Sequence, residues 1–496
     1  MAVSASAPPS TLARLQASDQ PTAAGTARIE ELRGAIERWQ RDQAVMQARL
    51  AEFPRYRAVA EGALQLAELQ AQLRPGEAYY KMIVLGEHAY AIFLTRETAR
   101  AFRIGASPRD LDRQVDALRS TISVVRNGQQ LTYPFDLEGA HRLYLELFGP
   151  VAGELPAVRH LVFEPDGPMM RLPPNLLVMD RAAIDAYRAR MAANPNDDGF
   201  DFRGVEWLGR ERDISTAVSA RAFRDVRTAP PSRARAEYLG FGQNEPARGF
   251  YLPAGGSGTR AADGMQPGCT WSLAAWNRPI SAEELRVAGA AVAMGRPGEA
   301  QIVTGGDFTD TGIIARDDLD QYRILHFATH GLTTPPRPEC PARPALMTSF
   351  GGGDSDGLLT FAEIYDLRLD ADLIILSACD TASRGSATAA AEAGLTGSGE
   401  FALDGLVRAF VGAGGRIVVA SHWPVPEDFN ATQRLISGMF RAPPGTGTAA
   451  SLRQAQRALM DERDTSHPYY WSGFAVIGDG AMPVIRQAPT RTAAAY

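Results

Sequence analysis

A histidine and a cysteine each follow a short apolar, β-branched stretch of this 496-residue chain. His330 comes directly after residues 324–329, and Cys379 comes directly after residues 373–378, 49 positions further along. Apolar stretches of this length, bounded by turn-forming residues, predict buried strands, and the helical patterns around them favour a parallel α/β sheet. Because the reactive groups of such sheets gather beyond the carboxyl ends of the strands, we expect His330 and Cys379 to lie together.

These two residue types can perform nucleophilic catalysis. A free cysteine has a pKa of about 8.5, so it is a weak source of thiolate near neutral pH. A neighbouring imidazole can take the thiol proton and can later protonate a leaving amine. The pattern therefore indicates a cysteine nucleophile with a histidine base. The alternative for Cys379 is a small apolar side chain at the end of a buried strand.

Four segments around these residues carry further information, and they are Ile324–Gly331, Gly357–Thr360, Leu376–Thr381 and Ala420–Val425. Together they resemble the CHAT family, a caspase-like group of cysteine peptidases that is related to separases and often follows tetratricopeptide repeats. The order of His330 and Cys379 and their separation match the caspases, in which the histidine precedes the cysteine by about 50 residues. The resemblance covers residues 60–480 and is looser before residue 230. Further likenesses to the family lie at Leu406–Phe410, Gly412–Gly415, His467–Phe474, Leu69–Glu77 and Leu161–Pro174.

The resemblance implies a role for each group of the site. Cys379 would attack a peptide carbonyl, and His330 would act first as base and then as acid. The tetrahedral intermediate needs hydrogen-bond donors that point at its oxyanion. The backbone N–H groups of Gly331 and Cys379 are the expected donors, and Gly331 has no side chain that would block its N–H.

Carboxylates near the predicted site are candidates for a substrate pocket. Asp380 follows Cys379 directly, and Asp428 lies beyond the next predicted strand. Related peptidases that cut after basic residues use carboxylates in this way, because arginine pairs bidentately with a carboxylate. Those enzymes often carry the acid two positions before the cysteine, where this chain has Ser377, whereas CHAT-like sequences place it directly after the cysteine. The alternative for both acids is a solvated or structural carboxylate.

Two more side chains near the site have competing interpretations. Trp423 is expected to line the substrate groove, by analogy with the aromatic residue after the corresponding caspase strand, and its alternative is packing in the core. His326 shares a strand with His330 and lies on the same face, four residues earlier. We expect His326 in the core, with its ring satisfied by backbone or hydroxyl groups.

A zinc site is the second chemistry that these residue types allow, since histidine and cysteine are good zinc ligands. His330, Cys379 and His422 would supply the ligands. The chain has no Cys-x-x-Cys or other closely spaced ligand pair to support this alternative. We therefore expect no metal and no cofactor in the chemistry.

The patterns and the resemblance together predict an α/β fold. We expect a caspase-like, mostly parallel sheet of about six strands flanked by helices, preceded by a pseudo-protease-like α/β region and an N-terminal helical hairpin. A helix over residues 400–411, closed by glycines, lies between the fourth and fifth predicted strands. The six predicted strands are Tyr238–Gly242, Gln301–Val303, Arg323–Phe327, Leu373–Leu376, Ile417–Ala420 and Phe474–Ile477.

The expected organisation has five parts, which are disordered residues 1–26, a helical hairpin at 27–75, a pseudo-protease-like domain at 76–232, a peptidase domain at 233–485 and a disordered tail at 486–496. The hairpin is either a packing element or the last unit of a repeat array that receives a regulatory signal. Breaks rich in Gly and Pro at 244–268, 334–357 and 383–399 exceed ordinary connection lengths, which predicts functional or disordered loops.

Composition limits the classes of partner. The formal net charge is −6, with 51 Lys and Arg interspersed among 57 Asp and Glu, so neither a nucleic acid nor a membrane surface is an expected partner. The three cysteines are too few for a disulfide framework, which favours a reducing compartment. No stretch resembles a membrane span or a signal peptide. We expect a cytoplasmic, bacterial-type protein.

The resulting hypothesis is a cysteine endopeptidase that makes limited cuts in a protein substrate. We expect activation by a regulatory protein, by a tetratricopeptide-type partner, or by ordering of the loops that follow the two catalytic motifs. The rival hypothesis is a non-catalytic caspase-like scaffold that binds a peptide in its groove. Intact His330 and Cys379 count against the rival.

Overall fold

A computed structural model describes most of the chain after residue 63. The predicted hairpin at 27–75 lies outside the described residues up to that point, and residues 1–26, Asp380 and the predicted loop at 383–399 lie outside them entirely. The described ranges are 64–126, 129–194, 196–247, 259–260, 271–272, 276–293, 300–332, 345–351, 355–379, 402–423 and 428–486.

Strands and α-helices alternate along these ranges. The strands are β1 (Glu77–Leu85), β2 (His88–Leu94), β3 (Ala99–Arg103), β4 (Val124–Arg126), β5 (Gln129–Leu131), β6 (His160–Glu164), β7 (Asp213–Thr216), β8 (Ala236–Asn244), β9 (Thr259–Arg260), β10 (Trp271–Ser272), β11 (Ala300–Gly305), β12 (Tyr322–Leu332), β13 (Ala345–Met347), β14 (Leu358–Thr360), β15 (Leu373–Cys379), β16 (Ile417–Ser421) and β17 (Phe474–Gly478). The helices are α1 (Leu66–Gln72), α2 (Pro108–Ile122), α3 (Leu137–Phe148), α4 (Arg181–Ala193), α5 (Leu208–Glu211), α6 (Ala220–Thr228), α7 (Glu283–Ala293), α8 (Asp310–Ile314), α9 (Phe361–Asp366), α10 (Ala402–Ala413), α11 (Ala431–Phe440), α12 (Thr448–Met460) and α13 (Pro468–Trp471).

One large sheet runs through the described part of the chain, in the order β11-β8-β12-β15-β16-β17-β7-β6-β1-β2-β3. Most neighbouring strands are parallel; the exceptions along this path are the pairings of β16 with β17, β1 with β2 and β2 with β3. The fold is therefore mixed α/β with a mostly parallel sheet, as the sequence predicts. All six strands predicted for the second half are present and adjacent, and the helix predicted at 400–411 is α10.

The first α/β region contributes to the same sheet, which the sequence does not predict. Its strand β7 pairs in parallel with β17, through Thr216 and Ile477. The antiparallel strand β17 would otherwise leave one row of backbone groups unpaired at an edge, and β7 covers that row. The boundary proposed at residue 232 therefore falls within one continuous sheet.

Helices cover both faces of this sheet, and the alternation of side chains along β12 shows which residues meet which face. Phe327 packs against Phe410 of α10, with ring centroids 5.3 Å apart. His326 and Ala328 point to the opposite face, where α7 packs against β8, β11 and β12. His330 continues the same alternation, so its position belongs to the α7 face.

The end of β12 leaves the parallel ladder and pairs with a short antiparallel strand. Gly331 pairs with Leu346 of β13, and β13 in turn pairs with β14. The sequence predicts a single long break at 334–357, and the structure instead has strand β13 within it. A buried hydrogen bond from the Thr329 hydroxyl to the Met347 carbonyl, at 2.6 Å, holds this strand against β12.

Helix α10 ends where its glycines predict. The N–H of Gly414 donates to the Val411 carbonyl and the N–H of Gly415 donates to the Phe410 carbonyl, so both glycines satisfy carbonyls of the last turn. Gly414 has φ +119°, and a Cβ there would lie 2.0 Å from the Leu369 carbonyl oxygen. Only glycine fits this turn, which brings the chain into β16.

Gly414→Ala is expected to lower the free energy of unfolding by about 1–3 kcal/mol from backbone strain alone, with the clash adding to it. Urea unfolding at neutral pH measures the change. Gly149→Ala is the matched control, because that glycine has φ −51° and an added Cβ would meet no atom within 4 Å. Equal unfolding midpoints for the two variants would show that the turn after α10 is not constrained in this way.

Candidate active site

The sheet brings the two predicted catalytic residues to paired positions. β12 and β15 are adjacent and parallel, and the last pair in their register is His330 with Cys379. Paired positions in neighbouring strands lie about 4.8 Å apart across the sheet. The register also places the two positions on one face, at the carboxyl end of both strands.

The imidazole of His330 is held by the backbone. Its Nε2 lies 2.6 Å from the carbonyl oxygen of Arg278, in the segment before α7. A carbonyl only accepts, so Nε2 carries the hydrogen and donates it. In the neutral ring Nδ1 is then the free lone pair, and this is the atom that can act as a base.

A buried polar network lies on the same face, directly below the paired positions. His326 is fully buried, with Nδ1 2.8 Å from the Tyr238 hydroxyl and Nε2 2.8 Å from Oε1 of Glu284. The hydroxyl of Ser377 donates to the same Glu284 oxygen at 2.5 Å. The expectation that His326 lies in the core is confirmed, and so is its hydroxyl partner, Tyr238. Its second partner is the Glu284 carboxylate, where the sequence predicts a backbone or hydroxyl group.

Glu284 and the Arg278 carbonyl are the groups that the sequence reasoning missed. The carbonyl leaves no trace in the sequence, because any residue could supply it. Glu284 does leave a signal, since it occupies the apolar stripe that α7 buries, with Leu285, Ala288 and Val292. A charged residue is seldom buried unless it has a partner, so the position of Glu284 on this stripe predicts a buried polar contact.

The other predicted site residues are more scattered. Trp423 is 2% exposed and lies in the core, where its indole N–H donates to the Tyr469 carbonyl at 3.2 Å. The sequence left open a substrate groove and the core for Trp423, and the structure places it in the core. Asp428, which follows residues 424–427 in the sequence, is exposed. Those four residues and Asp380 lie outside the described part of the chain. The structure therefore brings together the positions of His330, Gly331 and Cys379.

His422 stands just beyond β16 and is buried. Burial, followed by the nearby charge of Arg119, lowers the pKa of this imidazole from 6.5 to about 3, so the ring is neutral at physiological pH. Its backbone N–H donates to the Gly473 carbonyl at 2.8 Å. Within the described ranges no group of three or more His, Cys, Asp or Glu side chains is arranged to hold a metal ion.

Comparison with known proteins identifies the family. Residues 137–479 match the family model of the CHAT domain, and this chain belongs to the CHAT-domain family. The matched range contains His330 and Cys379 and also reaches back into the first α/β region. The family resemblance that the sequence motifs indicate is thereby confirmed.

Two curated mammalian proteins are similar over part of the chain. Tetratricopeptide repeat protein 28 of Mus musculus is 34% identical over 125 residues, which are 24% of this chain and 4% of that protein. Tetratricopeptide repeat protein 28 of Homo sapiens is 31% identical over 122 residues, again 24% of this chain and 4% of that protein. The similarity thus spans a small fraction of either relative.

Two solved structures are similar to this chain in fold. The Arg-specific cysteine proteinase gingipain R has a TM-score of 0.39 and 11% identity, over 77% of this chain and 75% of that one. The Saccharomyces cerevisiae separase–securin complex has a TM-score of 0.43 and 9% identity, over 83% of this chain and 30% of that one.

Among the described residues, no helix has the length and apolar character that crossing a membrane requires.

Proposed function

We propose that this chain is a cysteine endopeptidase that cuts a protein substrate through a dyad of His330 and Cys379. The observation that carries the proposal is the pairing of these two positions at the carboxyl ends of β12 and β15. Membership of the CHAT-domain family supports it. A single thiol with a single imidazole beside it suffices for acyl transfer, so the proposal requires no metal.

The proposed reaction follows from the hydrogen bond that fixes His330. Because Nε2 donates to the Arg278 carbonyl, Nδ1 takes the proton from the thiol of Cys379. The thiolate attacks the peptide carbonyl, and the backbone N–H groups of Gly331 and Cys379 stabilise the oxyanion. The imidazolium then protonates the leaving amine. Water, deprotonated by the same imidazole, hydrolyses the thioester and restores the free enzyme.

The first α/β region and the amino-terminal residues have proposed supporting roles. Residues 76–232 buttress the peptidase half, because they extend its sheet through β7. Residues 27–73 are the proposed docking site for a regulatory protein or a tetratricopeptide-type partner, which the names of the curated relatives favour. A reducing compartment such as the cytoplasm suits a thiolate nucleophile.

Cleavage of a peptide library by the wild-type chain and by Cys379→Ala in parallel tests the proposal. We expect sequence-selective cuts by the wild type and none by the variant. EDTA treatment and dialysis are expected to leave the cleavage rate within about twofold of the untreated rate, because the thiolate attack needs no Lewis acid. Loss of activity with EDTA, and its return with zinc, would favour a metal site instead. A library that is bound but left uncut would favour the peptide-binding scaffold.

A further inference from the structure

Residues 276–284, which we name the strap, cross the α7 face of the sheet beside the paired positions of the dyad. Arg278 lies within the strap, and its carbonyl is the group that accepts the His330 Nε2 hydrogen. The position of that carbonyl therefore sets the orientation of the imidazole. Hydrogen bonds that involve side chains anchor the strap at both ends.

The first end of the strap is anchored by Trp276. The side-chain amide of the buried Asn244 donates to the Trp276 carbonyl at 3.0 Å. The Trp276 indole N–H donates to the Thr348 carbonyl at 3.0 Å, and its ring stacks on Phe350 with centroids 5.1 Å apart. Both contacts reach the segment around β13 and β14.

The other end of the strap is anchored through Ala282 and Glu284. The N–H of Ala282 donates to Oε1 of Gln243 at 3.0 Å. Gln243 has φ +49°, a left-handed conformation that costs a non-glycine residue free energy and persists where the surroundings impose it. Glu284 then accepts from His326 on β12 and from Ser377 on β15. The same carboxylate thus joins the strap to both strands that carry the dyad.

Each donor of this network has an acceptor within it. Tyr238 donates to Nδ1, Nε2 donates to Glu284, and the Ser377 hydroxyl donates to the same oxygen. Burial, followed by the charge of Glu284, raises the pKa of Tyr238 well above 10, so this hydroxyl keeps its proton. A buried network in which every donor is satisfied has one arrangement, and it resists displacement of any member.

We propose that the strap is the positioning element of the active site and that Glu284 locks it to the two catalytic strands. His326 and Ser377 are the contacts through which the lock acts, and Gln243 holds the strap from the side of β8. His326, Ser377 and Glu284 are at most 8% exposed, which leaves them little surface for a substrate to reach. The inference rests on the proposed function, because it assigns a role in orienting His330.

Two variants loosen the strap at different points, and one matched control leaves it intact. Glu284→Ala removes the lock. Gln243→Gly removes the bond to Ala282 and keeps the left-handed backbone. Glu283→Ala makes the same change one residue earlier, at a side chain that is 56% exposed and paired only with Arg286 among the described contacts. Circular dichroism and urea unfolding establish that each protein is folded.

Loosening the strap is expected to lower kcat and to leave KM nearly unchanged. We expect a fall of about 10- to 100-fold for Glu284→Ala, since a misplacement of about 1 Å costs about that much. We expect a smaller fall for Gln243→Gly and no more than about a twofold change for Glu283→Ala, which is the usual scale of a neutral surface substitution. The pH dependence of Cys379 alkylation by iodoacetamide should move toward that of a free thiol, with a pKa of about 8.5, in both strap variants.

The alkylation profile separates failure of this inference from failure of the proposed function. If wild-type Cys379 reacts like a free thiol and cleavage does not depend on it, the dyad itself is wrong and the inference falls with it. If the wild type has a reactive thiol and both strap variants keep its kcat and its alkylation profile, the dyad stands and the strap has no positioning role. Should Glu284→Ala fail to fold, Gln243→Gly decides between these outcomes.

Discussion

Cys379→Ala and His330→Ala are each expected to lower kcat/KM by at least about 10⁴-fold, because the two groups act as one unit and neither functions alone. The double variant should lose little more than either single variant. His330 is partly exposed and Cys379→Ala removes one atom at the end of a strand, so both variants should unfold within about 1 kcal/mol of the wild type. Initial rates on a matched peptide and urea unfolding at neutral pH measure the two effects.

Chemical labelling provides an independent readout of the same dyad. At limiting iodoacetamide near pH 6.5, Cys379 should be alkylated well before Cys269 and Cys340, because an adjacent imidazole raises its thiolate fraction. His330→Ala should remove this preference. Peptide mapping by mass spectrometry gives the order of labelling. Equal labelling of all three cysteines, or an active His330→Ala variant, would rule out the dyad.

The elements that carry the dyad could be predicted because their signals are local. Short apolar, β-branched stretches give β12 and β15, and a helical period closed by Gly414 gives α10. The pairing of His330 with Cys379 then follows from the rule that parallel strands end at one edge of the sheet. These features depend on residues that lie close together in the sequence, so a single sequence is enough to predict them.

The features that could not be predicted depend on contacts between distant segments. The pairing of β7 with β17 joins residues more than 250 positions apart, and periodicity gives no information on which strands become neighbours. The Arg278 carbonyl contacts His330 only because α7 packs across β8 and β12. For Trp423 the sequence allowed both a groove and the core, since the same large apolar ring suits either, and burial decided for the core.

A buried ion cluster ties the two halves of the sheet together, and its residues come from both. Arg227, at the end of α6, donates to Glu77 at the start of β1 and to Asp479 just after β17. Its Nη1 also donates to the Gln72 carbonyl at 2.8 Å, and its guanidinium lies 4.4 Å from the ring centroid of Phe223. All three charged side chains are at most 6% exposed, so water contributes little to satisfying either carboxylate in the folded chain.

The pKa of Glu77 reflects this arrangement. Burial alone would raise it, but hydrogen bonds from His160, Arg227 and the Arg74 backbone lower it from 4.5 to about 2. A carboxyl group whose pKa is lower in the folded chain stabilises that chain above its unfolded pKa. The contribution, about 3 kcal/mol at 1.36 kcal/mol per pKa unit, is therefore present above pH 4.5 and is lost as the pH falls toward 2.

Arg227→Met is accordingly expected to lower the free energy of unfolding at pH 7 by about 3–5 kcal/mol, because it keeps the packing on Phe223 and removes the buried cation that Glu77 and Asp479 share. Asp479 then retains only the half-exposed Arg74, 3.6 Å away. The loss should shrink toward pH 3, because without Arg227 the pKa of Glu77 is less strongly lowered and its carboxyl group takes up a proton there, so the variant no longer holds an uncompensated charge at that position. The measurement is urea unfolding at pH 7 and at pH 3.

Arg100→Met is the control, since its ion pair with Glu154 is largely exposed and should contribute no more than about 1 kcal/mol. Combining Arg227→Met with Glu77→Gln and Asp479→Asn should recover part of the stability, because no uncompensated charge then remains. If Arg227→Met cost no more than Arg100→Met, or cost the same at both pH values, the two halves would be held by the shared sheet and its apolar core, and not by this cluster.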